Sequence, residues 1–404
     1  DRTRCFAQEG FHPFAREAIG EGGRWPLLRG RRMVVGKMGV CMLTACGVAV
    51  ERLKGGQPIL APRGEGWESG HTYNPAAVRL GPGDSTIIRK LLGEGSPAPR
   101  EGVVAILYRA QPRQSTGFRA PRSSIGLAVF TPELDLLRRF PEPVVRPTED
   151  PEGYDYDGAE DPRVTRIGDT FYMVYCGYTE HPYGAKMRVC LARSRDLLHW
   201  EKLGPARGDI NHWPNKDGVL LPGPIGGRHF LLHRPMVGQP SDFCMELAVS
   251  DSPTGEWRNC GRVLRAPGHA QCRHSWVGAG SVPIPLGDGR YLALYHTGNR
   301  LLEGSRQYNA DAVLLDFRRF TPEHPAEIIA GTLERILVPE TEYERSLRPG
   351  DPDPLHCVFP CGSYQQGEHL HFVYGGCDTY TLAARVRTEE LLDRLHQSAP
   401  PYHG

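Results

Sequence analysis

The chain has 404 residues, 39% apolar and 24% charged, so it is long enough to bury a large core and too apolar for a disordered segment. Its 48 basic and 47 acidic side chains nearly cancel, which argues against a nucleic-acid backbone or an anionic membrane as the main partner. Eleven cysteines, an odd number with no CxxC pair, fit reduced thiols and a cytoplasmic location better than a disulfide framework.

Met33–Val50 is the one long apolar run. Lys37, several glycines and the charges that follow favour a buried strand or two over a membrane span. Further on, a short apolar strand ending near an aromatic residue or a histidine recurs at Val104–Ala110, Phe171–Gly177, His229–Pro235, Tyr291–Thr297 and Leu370–Gly376. Each is followed by a second strand, at Ile125–Phe130, Met187–Ser194, Cys244–Ser250, Ala310–Asp316 and Tyr380–Val386. Aligning Tyr108, Tyr175, His233, Tyr295 and Tyr374 gives steps of 67, 58, 62 and 79 residues, enough for a hairpin, an outer strand and loops. Five such units predict an all-β, five-bladed β-propeller, because stacking the sheets buries both faces of each. No linker-like stretch divides the chain, so residues 1–404 read as a single domain, with segment 1–57 supplying an extension and a strand that closes the ring. Thr388–Gln397 alone has clear helical periodicity and predicts a short C-terminal helix. The recurring strands are expected to be the innermost ones, bringing Arg109, His233, Arg234 and His296 around one ligand.

Glu160-Asp161-Pro162-Arg163 precedes the second recurring strand and follows Tyr154-Asp155-Tyr156-Asp157. Pro162 biases Asp161 towards an extended conformation, and a half-buried carboxyl that keeps its proton near neutral pH can act as general acid. The same four residues also read as an acidic loop in which Glu160 or Asp161 pairs with Arg163. Asn215-Lys216-Asp217-Gly218 is ordinary turn chemistry, yet Lys216 is one of only six lysines beside 42 arginines, which suits a specific anion contact. Arg234 can grip a phosphate or carboxylate through two parallel hydrogen bonds. Together Lys216, Arg234, His296 and Tyr308 make a plausible oxyanion pocket. Metal-site patterns, a Walker loop, a strand-linked GxGxxG and a GxSxG elbow are all absent from the sequence, so no metal or cofactor is expected.

In this order and at this spacing, the motifs resemble the β-mannoside phosphorylases of glycoside hydrolase family 130. The resemblance rests on Tyr73-Asn74-Pro75-Ala76-Ala77, Leu107-Tyr108-Arg109, Glu160-Asp161-Pro162-Arg163, Asn215-Lys216-Asp217-Gly218, His233-Arg234-Pro235, Gly278-Ala279-Gly280, Tyr295-His296 and Tyr374-Gly375-Gly376-Cys377-Asp378. It implies a five-bladed propeller that transfers a mannosyl unit from a β-mannoside oligosaccharide to inorganic phosphate, with inversion, giving α-D-mannose 1-phosphate. Asp161 matches the single general acid, which acts through a sugar hydroxyl. Lys216, Arg234, His296 and Tyr308 match phosphate contacts, and Asn74, Arg109 and Asp378 match contacts to the mannosyl unit. Tyr156 and His233 are further candidate substrate contacts. The chemistry is consistent, since one acid and an external nucleophile suffice for inversion.

One position departs from the family: Trp276-Val277 precedes Gly278 where many phosphorylases carry Lys or Arg. Arg273 or His274 could supply the missing cation. Otherwise the gap leaves room for a hydrolase, with Glu246 or Glu303 as the base, or for a mannosyltransferase that uses a sugar nucleotide. A carbohydrate-binding propeller without catalysis is the alternative from another class. The acceptor sugar and the oligomeric state, a homo-oligomer included, are not legible; Gly93–Arg122 and Tyr178–Lys186 are the loops expected to shape the acceptor side.

Overall fold

The computed structural model describes residues 42–398 except 94, 96–98, 114–120, 182–183, 347–350 and 352. A three-residue strand, β1 (Val50–Arg52), precedes a first sheet of β2 (His71–Leu80), β3 (Val103–Gln111), β4 (Ser124–Phe130) and β5 (Leu136–Arg139). The second sheet is β6 (Gly158–Ile167), β7 (Thr170–His181), β8 (Gly184–Ser194) and β9 (Glu201–Pro205). A short β10 (Arg207–Gly208) crosses to the third sheet and pairs with its last strand; that sheet is β11 (Asn215–Leu220), β12 (His229–Pro235), β13 (Met245–Ser250) and β14 (Glu256–Leu264). The fourth runs β15 (Cys272–Ala279), β17 (Arg290–Leu301), β18 (Arg306–Asp316) and β19 (Ile329–Leu337), with β16 (Ile284–Gly287) also on β17. The fifth is β20 (Leu355–Gln366), β21 (His369–Gly376) and β22 (Tyr380–Arg387), completed on its outer edge by β1. A parallel pairing of β18 with β20 joins the last two sheets. Within each sheet, successive strands are antiparallel.

Strand periodicity explains how the sheets assemble. Along β3, Val103, Ala105 and Leu107 point into a core shared with Val164, Met173 and Tyr175 of the second sheet, while Val104, Ile106 and Tyr108 point into one shared with Tyr364, Val373 and Ala383 of the fifth. Val174 and Leu191 meet Leu231 and Trp257 between the second and third sheets. Leu232 and Leu247 meet Val277 and Tyr295 between the third and fourth, and Leu294 and Leu314 meet Phe372 and Leu382 between the fourth and fifth. Five apolar layers thus lie between five sheets, the last of them between the fifth sheet and the first. The middle strands are apolar on both faces because both faces are covered.

The five recurring hairpins and their following strands are those expected, and the terminal helix (Thr388–Gln397) has the expected bounds. Several expectations need correction. The recurring strand is the second of its sheet. The first strands β2, β6, β11 and β15 pack in succession, and β20 packs back on β2. Residues 33–41 of the apolar run lie outside the described residues, and 42–49 form no strand; the Gln307 amide instead clamps Leu43, accepting from its N–H (2.9 Å) and donating to its C=O (3.0 Å). A second helix, Ser85–Leu92, was not expected; Ile88 and Leu91 bury its inner face. Among the described residues, no helix is long and apolar enough to cross a membrane.

β1 is held by more than its ladder. Arg52 Nε and Nη2 donate to Glu344 Oε1 and Oε2 (2.9 and 3.0 Å), and Nη2 also donates to the Val338 carbonyl (2.7 Å). Glu344 is fully buried and also accepts from the Tyr374 hydroxyl (2.7 Å) and from the N–H groups of Glu340 and Thr341. Burial pushes its carboxyl up, but Arg52 and these donors outweigh burial and leave it below its ordinary value. A depressed folded-state pKa stabilises above the unfolded pKa, and that contribution is lost as pH falls through the folded value. Arg52→Ala is therefore expected to cost about 3 kcal/mol in urea unfolding at pH 7, and the deficit should shrink in acid as Glu344 protonates.

Candidate active site

Three first strands share a local device. A bulge interrupts the pairing between Tyr73 and Ala76 on β2, between Glu160 and Arg163 on β6, and between Lys216 and Val219 on β11. Each bulge carries a left-handed residue: Asn74 (φ 48°), Asp161 (φ 51°) and Asp217 (φ 56°). Asn and Asp tolerate this region better than other side chains. Asp161 is thus not extended, as Pro162 led us to expect; nor is Asn215–Gly218 a turn, because it lies within β11. Re-aiming one polar side chain per strand brings residues of three sheets into contact.

Asp161 is 4% exposed, and its Oδ1 accepts from Asn74 Nδ2 (2.9 Å) and from Arg109 Nη1 (3.2 Å). Asn74 fits because Gly375 lies beside it; a β-carbon there would collide with Asn74 Oδ1. Arg109 also donates to Glu160 Oε1 (2.6 Å) and Ser123 Oγ (3.0 Å), with its guanidinium 4.8 Å from the Tyr73 ring centroid. Lys216 Nζ lies 3.4 Å from Glu160 Oε2. Burial alone would raise the Asp161 pKa, but Arg109, Lys216, Arg163 and the Asn74 hydrogen bond hold it well below the usual carboxylate range. The resting carboxyl is therefore ionised, contrary to the expectation that burial would keep its proton. Its acidic-loop alternative is also corrected: Glu160 and Asp161 pair with Arg109, whereas Arg163 turns towards Asp217.

Asp217 is buried beside the predicted anion-binding residues. Its Oδ2 lies 2.9 Å from Arg234 Nε and 3.5 Å from His296 Nε2, and its Oδ1 lies 3.5 Å from Arg163 Nη2. The Arg234 contact is Coulombic, since neither Nε nor Oδ2 has a partner in hydrogen-bonding geometry. Both ring nitrogens of His296 likewise lack a hydrogen-bond partner among the described residues. Burial brings the His296 pKa down to about 3 against the pull of Asp217, so the imidazole is neutral. Behind it, the Phe359 ring lies 4.2 Å away and Tyr308 6.0 Å, with Trp276 edge-on to Tyr308 at 5.6 Å. Gly278 lets this corner pack closely: a β-carbon there would strike Asp217 Oδ2 and lie 2.6 Å from His296 Cε1.

Asp378, half-buried and left-handed (φ 48°), is the remaining sugar-contact candidate. Burial raises its pKa against Arg306 and Arg109, and the Asp161 charge adds to the rise, so Asp378 faces the same cluster. One candidate, His233, falls elsewhere. His233 alternates with Arg234 along β12 and points the other way, with Nδ1 2.9 Å from Asn215 Nδ2 and its pKa lowered by burial to about 4. Tyr156 lies under the Arg122 guanidinium (4.5 Å). The suggested replacements for the missing cation already have other partners. Arg273 donates to the Leu302 carbonyl (2.6 Å), and His274 Nδ1 pairs with Ser241 Oγ (2.9 Å). Glu246 accepts from Asn259 (2.5 Å) and Glu303 from Ser305 (2.7 Å), so neither sits as a base among these groups. Of the loops named for the acceptor side, 94, 96–98, 114–120 and 182–183 lie outside the described residues.

Comparison with known proteins finds relatives over most of the chain. The profile of glycoside hydrolase family 130, described as β-1,4-mannooligosaccharide phosphorylase, fits residues 104–397. A 1,2-β-oligomannan phosphorylase of Thermoanaerobacter sp. (strain X514) is 29% identical over 339 residues, which is 83% of this chain and 96% of that protein. A β-1,4-mannooligosaccharide phosphorylase of Ruminococcus albus is 27% identical over 247 residues, 60% of this chain and 65% of that protein. Among solved structures, the β-1,2-mannobiose phosphorylase of Listeria innocua in complex with β-1,2-mannobiose superposes with a TM-score of 0.64 at 22% identity, covering 86% of this chain and 99% of that one.

The Gly278 corner yields a direct test. Gly278→Ala is expected to lose affinity for anions by at least about tenfold as Asp217 and His296 are displaced. Calorimetric titration with phosphate checks it, alongside an unchanged circular dichroism spectrum.

Proposed function

The chain belongs to glycoside hydrolase family 130, and on that premise we propose that it is an inverting β-mannoside phosphorylase. Inorganic phosphate attacks the anomeric carbon of a β-mannosyl unit, the glycosidic bond breaks, and α-D-mannose 1-phosphate forms. The observation that carries this reading is Arg234: its side chain is 8% exposed, and among the described residues its one charged partner within 4 Å is Asp217 and its Nε makes no hydrogen bond. A guanidinium held in this way has donors waiting for an anion.

In this reading Lys216, Arg234, His296 and Tyr308 hold phosphate on one side of the mannosyl unit, and Asn74, Arg109 and Asp378 hold the sugar. Asp161 serves as the proton donor towards the leaving oxygen. The resting Asp161 is an anion, so it must gain a proton when substrates bind. Phosphate beside Lys216 supplies the means, because its negative charge offsets the cations that depress the Asp161 pKa. Positioning and charge then do most of the catalytic work. We further take the five sheets as the blades of one closed five-bladed propeller, a single catalytic domain closed by β1, and the odd number of cysteines without a CxxC pair fits a reducing, cytoplasmic setting. Hydrolysis would need a base in the anion pocket. Asp217 is the carboxylate there, and the cations Arg234, Arg163 and Lys216 outweigh its burial and hold it below its ordinary pKa, which makes it a poor base.

Incubation of the protein with β-1,2- and β-1,4-mannobiose, with and without phosphate, tests the assignment. Mannose 1-phosphate should accumulate only with phosphate; release of free mannose at the same rate without phosphate would contradict it. Asp161→Asn should lower kcat by about 10²–10⁴-fold while tightening phosphate binding, because the neutral amide removes the negative charge that phosphate binding must otherwise neutralise.

A further inference from the structure

The anion pocket contains a carboxylate. Asp217 is 2% exposed, and its Oδ2, beside Arg234 and His296, has no hydrogen-bond partner among the described residues. The charged and titratable groups facing it are Arg163 from β6, Lys216 from its own strand, Arg234 from β12, His296 from β17 and Cys361 from β20. Gly278 of β15 closes the last side with no side chain. A bare oxyanion placed here would meet the donors Lys216, Arg234 and Tyr308, but one of its oxygens would approach a carboxylate oxygen. That approach becomes favourable only if the anion carries a hydrogen on that oxygen. The neutral imidazole of His296 adds a second acceptor, because one of its ring nitrogens keeps a lone pair. Donors and acceptors thus alternate around the pocket.

We infer that this pocket reads a P–OH group, which donates to Asp217 Oδ2 or through His296, and so separates phosphate from sulfate, an anion of the same shape that carries no hydrogen at neutral pH. The inference rests on the reading that this pocket holds the phosphate co-substrate. In the reaction, one of the other phosphate oxygens forms the bond to the anomeric carbon while the glycosidic C–O bond breaks. The P–OH hydrogen stays on the phosphoryl group and leaves with the product. Asp217 is therefore a positioning and selectivity residue rather than a proton donor.

The test is competition in mannose 1-phosphate formation at constant ionic strength. For the unaltered protein, the inhibition constant of sulfate should exceed the KM of phosphate by at least about a hundredfold, because a buried acceptor built for a hydrogen rejects a ligand that lacks one. Arsenate, which carries the hydrogen, should compete within about tenfold of phosphate by the same reasoning. In Asp217→Asn the amide can donate, so the ratio of sulfate to phosphate constants should narrow at least about tenfold. Sulfate competing as well as phosphate in the unaltered protein would overturn the inference, as would an unchanged ratio in a folded Asp217→Asn. If Asp217→Asn does not fold, the unaltered protein's ratio decides. Cleavage that ignores phosphate altogether would instead overturn the phosphorylase reading, so the two failures are distinguishable.

Discussion

One buried guanidinium ties the centre of this molecule together. Arg163 is 1% exposed; Nη1 donates to the Asp161 carbonyl (3.1 Å), Nε to the Gly280 carbonyl (3.2 Å) and Nη2 to the Ala279 carbonyl (3.2 Å), while Nη2 lies 3.5 Å from Asp217 and the group rests 5.6 Å from the Phe359 ring centroid. Those contacts come from the second, third, fourth and fifth sheets. A guanidinium is suited to this role because its planar fork satisfies several carbonyls at once and never loses its charge. Its cost of burial is met by the carbonyls and by Asp217, so the sheets cannot separate there without stranding a charge.

From that hub the charges divide into two halves. Asn74 and Arg109 hold Asp161 on one side; Arg234 and His296 surround Asp217 on the other, with Lys216 at Glu160 between them. Both carboxylates are held ionised by neighbouring cations despite burial. Such a resting state suits anion binding and leaves acid catalysis unarmed, since an ionised Asp161 has no proton to give. In the proposed reaction the incoming phosphate changes the local balance of charge and lets that proton enter, so binding and arming are one event.

The recurrence of apolar strands before Tyr108, Tyr175, His233, Tyr295 and Tyr374 made the sheet order legible, because strands covered on both faces must be apolar throughout. The site was legible as motifs and less so as geometry. Asn74-Pro75, Asp161-Pro162 and Asp217-Gly218 mark the same place in three successive first strands, and the short polar residue at each was the signal for a left-handed bulge. Proline statistics alone pointed Asp161 the other way, since tertiary packing decides the conformation there. Asp217 was quoted within a motif without a role, and Arg163 only as a partner for Glu160 or Asp161, because what they do depends on Ala279, Gly280, Phe359 and Gly278, more than 60 residues away. His233 was misplaced by one residue of strand alternation. The helix at Ser85–Leu92 escaped notice because eight residues show only two buried turns.

The central claim is that the resting site is ionised at Asp161 and that phosphate binding brings the proton in. Calorimetric titration with phosphate at about pH 7.5 in buffers of differing ionisation enthalpy measures this directly. The account predicts a net uptake approaching one proton per phosphate bound, abolished in Asp161→Asn. Binding of phosphate with no proton uptake in the unaltered protein would contradict it.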